Sequence, residues 1–233
     1  MIDMDCSGTV NGSALQMSGD VSNAVVSEEM PVPVWVETLE DLHRYYGTPA
    51  EASQIKVTTR LTSGYRAHIE RARFCILATV GPEGTDCSPR GDEEPVVRIQ
   101  DAHTLLLPDW KGNERIDSLR NIVRDGRVSL LFLVAGSNVA IRANGQAKIS
   151  ADPELSRLFE RQGKLPRTVI VIHLKEVYSQ CARALIRSGL WTDGDSSADL
   201  PSIGDMLKEI TAGEFDGARY NAEWPERAKQ TMW

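Results

Sequence analysis

The feature that most constrains the fold is a series of six short apolar runs separated by turn residues. The runs are FCILATV, VVRIQ, HTLLLP, VSLLFLV, IRANGQAKIS and RTVIVIHLKEVY, at 74–80, 96–100, 103–108, 128–134, 141–150 and 167–178. Their lengths and apolar patterns are typical of β-strands. The turn sequence GPEG at 81–84 ends the first run, and residues 85–88 lead out of it, which predicts a hairpin.

Tight turns rather than helices link most of these runs, and this favours antiparallel pairing in a closed sheet. The predicted fold class is therefore mainly β (α+β), a small six-stranded antiparallel barrel with peripheral helices. Those helices are predicted near 34–46, 62–71, 114–124 and 152–161. The second buries Leu61, Tyr65 and Ile69, and the last begins at Asp152, an N-cap followed by a proline at the first helical position.

Charge is unevenly distributed along this chain, whose net charge is -7. Residues 1–43 carry eight Asp and Glu and no Lys or Arg, whereas residues 44–190 carry 22 Lys and Arg against 16 Asp and Glu. The middle of the chain could therefore hold an anion, although the overall charge does not suggest it. Three regions are predicted: a flexible acidic arm at 1–33, the main domain at 34–192 and a helical extension at 193–233.

Several kinds of chemistry lack support in this sequence. Its four cysteines and four histidines match neither a CxxC pair nor a metal-binding motif, so we expect free thiols and no metal site. GxxxxGK[ST], GxGxxG and GxSxG are missing as well. No apolar run could span a membrane, and the first residues do not resemble a secretory signal. We expect a cytoplasmic protein with neither a nucleic-acid nor a membrane partner.

Three polar segments that follow strands are candidates for ligand binding. In the first, SPRGD at 88–92, Arg90 could bind phosphate or carboxylate through two hydrogen bonds. The alternative is a surface turn in which Arg90 pairs with Asp92. In the second, WKGNER at 110–115, Asn113 is the predicted N-cap of the next helix, whose free N–H groups would lie beside Lys111 and Arg115 and suit a phosphate. The alternative is a solvated helix start.

The third candidate, CARALIRSGLW at 181–191, follows the last strand. Trp191 could lie against a planar ring and Arg187 could bind an anion, although a Trp in this position is more often a packing residue. Cys181 has no neighbouring His, so an inert thiol is expected rather than a nucleophile.

At these three segments the sequence resembles the pyridoxamine 5'-phosphate oxidase-like FMN-binding split-barrel superfamily, and within it a bacterial subgroup of FMN-dependent enzymes. The resemblance covers about residues 62–192 and includes FCILATVGPEGTDCSPRGD, LLLPDWKGNERIDSLRNIVRDGRVSLLFLV and RALIRSGLW. It implies a split β-barrel that forms a homodimer, with two FMN molecules in clefts between the subunits.

The resemblance also implies roles for individual residues. Lys111 corresponds to the lysine that grips the phosphate, and Arg90 ends the strand that supplies phosphate and ring contacts. Trp110 stands where the oxidase has an arginine, which Arg115 or Arg142 could replace. The expected cofactor-binding residues are Ser88, Arg90, Lys111, Asn113, Arg115, Arg142, Arg187, Ser188 and Trp191. No catalytic residue is named, and the oxidase's C-terminal Arg and His segment is not recognisable.

The function implied is an FMN-dependent oxidoreductase that acts on an unidentified small molecule, with NAD(P)H as a candidate electron donor. Two alternatives remain open. One is a flavin-binding module without turnover, such as a sensor or carrier. The other is a split barrel that uses F420 or haem, although the four histidines provide no obvious axial ligand by motif.

Overall fold

The computed structural model describes residues 33–232, which divide into two compact units between Thr48 and Pro49. In the described part of the first unit, helix α1 (Leu39–Tyr45) begins after Thr38, whose side chain accepts a hydrogen bond from the backbone N–H of Asp41. This helix lies within the range predicted for it. The acidic arm predicted at 1–33 lies outside the described residues, apart from Pro33.

The described part of the second unit contains seven strands and seven helices. The strands are β1 (Phe74–Gly81), β2 (Gly84–Gly91), β3 (Arg98–Ile99), β4 (Thr104–Asp109), β5 (Arg127–Leu133), β6 (Ala140–Ser150) and β7 (Thr168–Gln180). The helices are α2 (Glu51–Ile55), α3 (Ser63–Ile69), α4 (Asp117–Arg124), α5 (Pro153–Arg157), α6 (Arg183–Arg187), α7 (Ile203–Ile210) and α8 (Gly217–Thr231).

All strand pairs in the sheet are antiparallel, in the order β2-β1-β5-β6-β7-β4-β3. The α+β class and the antiparallel pairing are thus confirmed. The predicted number of six strands is wrong, and within residues 33–232 no ladder joins β2 to β3 to close the sheet. The extra strand is β2, the return arm of the first hairpin.

Strand β2 lies at an edge of the sheet and buries no side chain completely, so it is missing from the six apolar runs, although the hairpin predicted at 81–84 implied a return strand at 85–88. Asp86, Ser88 and Arg90 are half-buried on one of its faces, while the residues between them are exposed. Its sequence therefore lacks the apolar alternation that marks the other strands. Pro89 is tolerated within it because a proline, which has no N–H, can occupy an edge strand.

The sheet curls strongly although no ladder closes it. In a flat sheet β2 and β4 would lie about 24 Å apart, because five interstrand spacings separate them. Arg90 of β2 nevertheless places its Nη1 atom 2.6 Å from Oδ1 of Asp109, at the end of β4. The polar end of β2 therefore lies beside the polar end of β4.

The inner face of the curled sheet forms the core. Its fully buried side chains come from five strands and include Leu77, Leu105, Phe132, Ile141 and Ile172. Helix α3 adds Ile69 to this core, Leu61 is buried just before the helix, and Tyr65 is half-buried, all as predicted. Helix α5 begins as predicted, with Asp152 accepting a hydrogen bond from the backbone N–H of Glu154.

Strands β6 and β7 form the longest ribbon of the sheet and contain an irregularity between Asn144 and Gly145. A Cβ atom at Gly145 would overlap the backbone carbonyl of His173, so a glycine is needed for the strands to approach this closely.

Helices α7 and α8 pack against each other within the segment predicted to be a helical extension. Ser202 and Asp205 form a capping box at the start of α7. The helix backbones meet at Gly204 and Gly217, where an added Cβ on either glycine would collide with the backbone of the other. The Oδ1 atom of Asn221 accepts the Gly204 N–H at 2.9 Å, which fixes α8 against the start of α7.

Candidate functional site

Three neighbouring clefts surround the loop at 110–113, which connects β4 to the approach of α4. The strand cleft, of about 390 Å³, lies at the end of β2 and includes Arg90, Lys111 and Met232. The helix cleft, of about 520 Å³, reaches the start of α4 and includes Arg90 and Trp224. The aromatic cleft, also of about 520 Å³, lies between the loop and α8. Gly112 lines all three clefts.

The loop bends away from a helical path before α4 begins. The Oδ1 atom of Asn113 accepts the backbone N–H of Arg115 at 3.0 Å, and Glu114 adopts a left-handed φ of 62°. A left-handed residue cannot continue into a helix, so α4 begins only at Asp117, after Ile116. The predictions that Asn113 is the N-cap and that the helix starts near 114 are therefore wrong.

Arg90 is tied to a carboxylate, but not to the one considered in the alternative interpretation. Its partner is Asp109 rather than Asp92, and the two side chains are 20% and 15% exposed. The Nε atom of Arg90 is buried and has no hydrogen-bond partner in the described part of the chain. Arg90 thus has a neutralised charge and an unused donor at the edge of two clefts.

Cys75 is the register partner of Arg90 on β1 and is completely buried. Burial raises the pKa of its thiol to about 12, although the positive charge of Arg90 acts in the opposite direction. The thiol is therefore a core group and not a nucleophile for the clefts. The other two described cysteines, Cys87 and Cys181, are free and exposed.

A chain of hydroxyl groups orients Ser88. Ser118 donates its hydrogen bond to the carboxylate of Asp86, and the Ser118 and Ser88 hydroxyl oxygens are 3.1 Å apart. Because the single Ser118 proton is already donated, Ser88 must donate its own proton to Ser118. Ser88 is then left with lone pairs for the helix cleft, where it can accept an N–H from a ligand.

Lys111 and Arg115, the two cations predicted for this loop, are in different electrostatic states. Lys111 forms no salt bridge with any described residue. Arg115 is paired with Asp117, with 2.6 Å between Nε and Oδ2. The pKa of Glu114 is lowered, chiefly by its hydrogen bond to Arg167 and the charge of Arg167, with a smaller contribution from the charge of Lys111. Lys111 is therefore the cation of the loop that is available to an anionic ligand.

The structure brings five of the nine predicted cofactor-binding residues together around these clefts and leaves four elsewhere in the same chain. The five are Ser88, Arg90, Lys111, Asn113 and Arg115. The four that line none of the three clefts are Arg142, Arg187, Ser188 and Trp191.

Each of the four outlying residues has its own setting. The guanidinium of Arg142 lies 5.9 Å from the ring centre of Tyr178. The indole N–H of Trp191 donates to the carbonyl of Ser137 at 2.9 Å, as a packing residue would. Ser188 donates to the carbonyl of Leu185 at the end of α6. Arg187 forms no salt bridge within residues 33–232.

Sequence reasoning missed the contribution of α8 to these clefts. Tyr220, Trp224, Arg227 and Met232 line the aromatic cleft, and Trp224 also lines the helix cleft. A usable signal was present, because Tyr220 and Trp224 are four residues apart and therefore lie on the same side of a helix. Asp109, the partner of Arg90, was missed as well, since it follows an apolar strand without any motif.

Two further features of the described chain bear on function. Within residues 33–232, no group of three or more His, Cys, Asp or Glu side chains is arranged to hold a metal ion. None of the described helices is both long enough and apolar enough to cross a membrane.

The family of the chain follows from its sequence. The family model for pyridoxamine 5'-phosphate oxidase matches residues 61–181, which is more than half of the chain. The chain therefore belongs to the pyridoxamine 5'-phosphate oxidase family, and the resemblance to this superfamily is confirmed, whereas the bacterial subgroup stays a prediction. The matched range contains the loop at 110–113 and strand β2, but not α7 or α8.

Solved structures with a similar arrangement come from several differently named proteins. HupZ of Group A Streptococcus is 20% identical, with a TM-score of 0.42 over 51% of this chain and 93% of that chain. An F420 reductase is 18% identical, with a TM-score of 0.39 over 50% and 98%. An FMN-binding protein from Syntrophomonas wolfei is 16% identical, with a TM-score of 0.37 over 49% and 86%. Comparison with curated proteins gives no match.

Proposed function

We propose that this protein is an FMN-dependent oxidoreductase that acts on a small molecule. The observation that carries the proposal is the convergence of Arg90, Lys111 and the start of α4 on two adjoining clefts in a member of this family. Convergent polar groups in a partly apolar concave site are typical of cofactor-binding sites. F420, named for one similar structure, is the alternative flavin-like cofactor.

The residues of the two clefts fit the chemistry of FMN. The buried Nε of Arg90 lacks an acceptor, and FMN carries acceptors on both its phosphate and its ring. Ser88 offers lone pairs to the N–H of a flavin ring. Lys111 has no carboxylate partner in the described chain and can bind a phosphate, as can the N–H groups at the start of α4. The clefts are also within the usual size range of cofactor sites.

When bound, FMN supplies hydride or single-electron transfer, and the protein supplies binding, orientation and polarity. Asp109 holds Arg90 at the border of the two clefts. Asp86 and Ser118 fix the direction of the Ser88 hydroxyl, so that it donates to Ser118 and can only accept a hydrogen bond from a molecule in the helix cleft. Lys111 contributes a positive charge and forms no salt bridge with a described residue, although its charge reaches Glu114.

We further propose that the cofactor site is completed by a second copy of the chain. The outer face of β1 and β5 presents half-exposed apolar side chains, Phe74, Ile76, Leu131 and Leu133. Pro89, Ile76, Leu131 and Arg142 are successive register partners across four strands, so Arg142 lies on this same face. An apolar face of this kind is typical of an interface. A homodimer would bring Arg142 and the segment containing Arg187, Ser188 and Trp191 towards the clefts of the partner.

The dimer is tested by size-exclusion chromatography with light scattering. The chain mass is 25.7 kDa, so the wild type should elute at about twice that mass, and Leu131→Glu should elute as a monomer with weakened FMN retention. Ile210→Glu, at an exposed apolar position on α7 rather than on this face of the sheet, is the matched control and should remain dimeric. A monomeric wild type that binds FMN normally would overturn this part of the proposal.

The cofactor is tested by its absorption spectrum and by titration with FMN. Lys111→Ala should weaken FMN binding by about 1.5–3 kcal/mol, which is the range for a hydrogen bond to a charged group and corresponds to roughly 10- to 150-fold. Lys148→Ala, an exposed strand lysine outside the clefts, is the matched control and should bind FMN like the wild type. A wild type that ignores FMN, or equal affinities for the two variants, would refute the proposal.

Turnover is tested separately, because a flavin can be bound without being used. Stopped-flow mixing of the FMN-loaded protein with NADH or NADPH should bleach the flavin absorption. A bound flavin that neither donor reduces would favour the non-catalytic module, and a spectrum with F420 or haem bands would replace FMN.

A further inference from the structure

Asp92 follows strand β2 and carries a buried carboxylate to which the proposed cofactor site gives no role. Its side chain is only 2% exposed, although Gly91 before it and Glu93 after it are exposed. An ionised carboxylate is costly to bury unless hydrogen bonds and a counter-charge compensate for the lost water. A buried carboxylate at this position therefore requires partners from the surrounding chain.

Both carboxylate oxygens of Asp92 have such partners. Oδ2 accepts the indole N–H of Trp110 at 3.2 Å, and Oδ1 accepts the backbone N–H of Glu94, also at 3.2 Å. The Nε atom of Arg161 lies 3.8 Å from Oδ1, which is too far for a hydrogen bond but close enough for an ion pair. Arg161 in turn donates from Nη2 to the Glu94 carboxylate at 2.7 Å. Asp92 thus connects three separate segments of the chain.

Trp110 is held by its ring as well as by its N–H group. The half-buried ring packs against a small apolar cluster that is separate from the main core and consists of Leu106, Phe159 and Val169. The N–H group donates to Asp92. Lys111 is the next residue, so the backbone of this lysine starts from a side chain that is fixed at both ends.

Two side-chain contacts connect the same two strand ends in opposite directions. Arg90, in β2, forms an ion pair with Asp109, the last residue of β4. Trp110, the residue after Asp109, donates to Asp92, which lies just beyond β2. Within the described chain no ladder joins β2 to β4, so side-chain contacts hold these strand ends together. The cations proposed for the cofactor, Arg90 and Lys111, belong to the segments that these contacts join.

We propose that Asp92 is a positioning residue, which fixes the loop at 110–113 through Trp110 and so directs Lys111 towards the phosphate of the flavin. This role rests on the proposed function, because the phosphate is part of it. A carboxylate is needed because each of its oxygens accepts a hydrogen bond, whereas an asparagine has one acceptor oxygen and an NH₂ group. Asp92→Asn would turn that NH₂ group towards the N–H of either Trp110 or Glu94, and the loop would loosen.

The sign of the effect distinguishes positioning from simple electrostatics. Asp92 and Lys111 both line the strand cleft, so removal of the negative charge of Asp92 should strengthen the binding of an anion if charge alone matters. The positive charge of Arg161 would also be less neutralised, which acts in the same direction. Positioning predicts the opposite result, weaker binding of the phosphate, because Lys111 would no longer be held in place.

The test compares FMN with riboflavin, which lacks the phosphate, by fluorescence titration of the flavin-free protein. Wild type should bind FMN at least about tenfold more tightly than riboflavin, and Lys111→Ala should remove most of this preference. Asp92→Asn should reduce the preference about 3- to 10-fold and change riboflavin affinity by less than about twofold. In the Lys111→Ala background, Asp92→Asn should reduce the preference no further, because the group that it positions is already missing.

Two matched controls lie outside the three clefts. Asp125→Asn removes a carboxylate charge from the partly buried ion pair with Arg127. Tyr65→Phe removes a half-buried side-chain donor, whose acceptor is the carbonyl of Lys56 at 2.7 Å. Both variants should keep the wild-type preference for FMN, and urea unfolding of every variant shows how much stability each has lost. A loss of preference in Asp125→Asn as large as that in Asp92→Asn would overturn the proposal.

The contact between Asp92 and Trp110 can be measured without any flavin. In an NMR spectrum of isotopically labelled protein, Trp110→Phe identifies the indole N–H signal of Trp110 by its disappearance. Asp92→Asn should shift this signal and increase the rate at which its proton exchanges with solvent. A signal that Asp92→Asn leaves unchanged would contradict the positioning role, since Trp110 would then not depend on Asp92.

The flavin titrations separate this role from the proposed function. If the wild type binds FMN and riboflavin equally, or if Asp92→Asn strengthens FMN binding, the positioning role is wrong although a flavin is still bound. If the wild type binds neither flavin, the proposed function fails, and pyrophosphate becomes the probe of Lys111. Loss of pyrophosphate binding in both Lys111→Ala and Asp92→Asn would retain Asp92 as the positioning residue of an anion site, and binding that Asp92→Asn leaves unaffected would rule it out.

Discussion

The contact between Arg90 and Asp109 provides a quantitative test of how the ends of the curled sheet are held together. The two side chains are mostly buried, with 2.6 Å between Nη1 and Oδ1. Removing one member of a fully buried ion pair costs about 3–5 kcal/mol, because the other charge is left unpaired. Because the Arg90 and Asp109 side chains keep 20% and 15% of their exposure, solvent screens the pair and the penalty is smaller. Asp109→Ala should therefore lower the free energy of unfolding by about 2–4 kcal/mol.

A double-mutant cycle isolates the pair from other effects of the substitutions. Arg90→Met and Asp109→Ala are combined, and urea unfolding is followed by circular dichroism for all four proteins. The double variant should be destabilised by about 1.5–3 kcal/mol less than the sum of the single variants, since no unpaired charge then remains. The control pair is Arg219 and Glu223, which lie on the surface of α8 at 2.7 Å, and their coupling should be below about 1 kcal/mol. A coupling for Arg90 and Asp109 no larger than that of the control would refute the reasoning.

Three other outcomes follow from buried groups. Because its pKa is raised to about 12, the Cys75 thiol should not react with Ellman's reagent at pH 8 until the protein unfolds, whereas the exposed Cys87 and Cys181 should react at once. The folded chain also keeps the Cys75 proton to a higher pH than the unfolded chain does. The free energy of unfolding should therefore fall as pH rises from about 9 to 12. Gly145→Ala should lower the midpoint of urea unfolding by the equivalent of about 1–3 kcal/mol, since its Cβ would overlap the His173 carbonyl. Asn121→Ala should lower the free energy of unfolding, measured by thermal denaturation, by about 1–3 kcal/mol, because the buried Thr79 hydroxyl loses the hydrogen bond that Asn121 donates at 3.1 Å. Adding Thr79→Val should restore part of this loss, since no unpaired hydroxyl then remains.

Most of the sheet could be predicted from the sequence because six of its strands largely coincide with apolar runs. The hairpin at Gly81, helix α3 and the start of α5 also follow from local signals, namely turn residues, caps and apolar spacing. Strand β2 was predicted only as the return arm of this hairpin and not over its full length, because its side chains bury only partly and its pairing depends on β1. Sheet curvature and the number of strands are properties of long-range packing, which apolar spacing does not encode.

The candidate site was predictable where it lies on one segment and unpredictable where it joins distant ones. Lys111 and Arg90 were found from the polar segments that follow strands. The partner of Arg90 was predicted as Asp92, two residues away, whereas the fold supplies Asp109 from another strand. Asn113 was expected to cap a helix, but its side chain closes a local turn instead. The cytoplasmic location, the domain boundaries and the roles of the cofactor-binding residues stay predictions.

Pro89 in the edge strand β2 has a consequence for how copies of this chain can associate. Edge strands expose unpaired N–H and C=O groups, and a strand from another molecule can pair with them. A molecule approaching the free side of β2 would meet a pyrrolidine ring where it needs a hydrogen-bond donor. Growth of a continuous sheet from one molecule to the next is thereby discouraged at this edge. In the proposed homodimer, folded copies would therefore meet through the faces of their sheets, where association can stop at two.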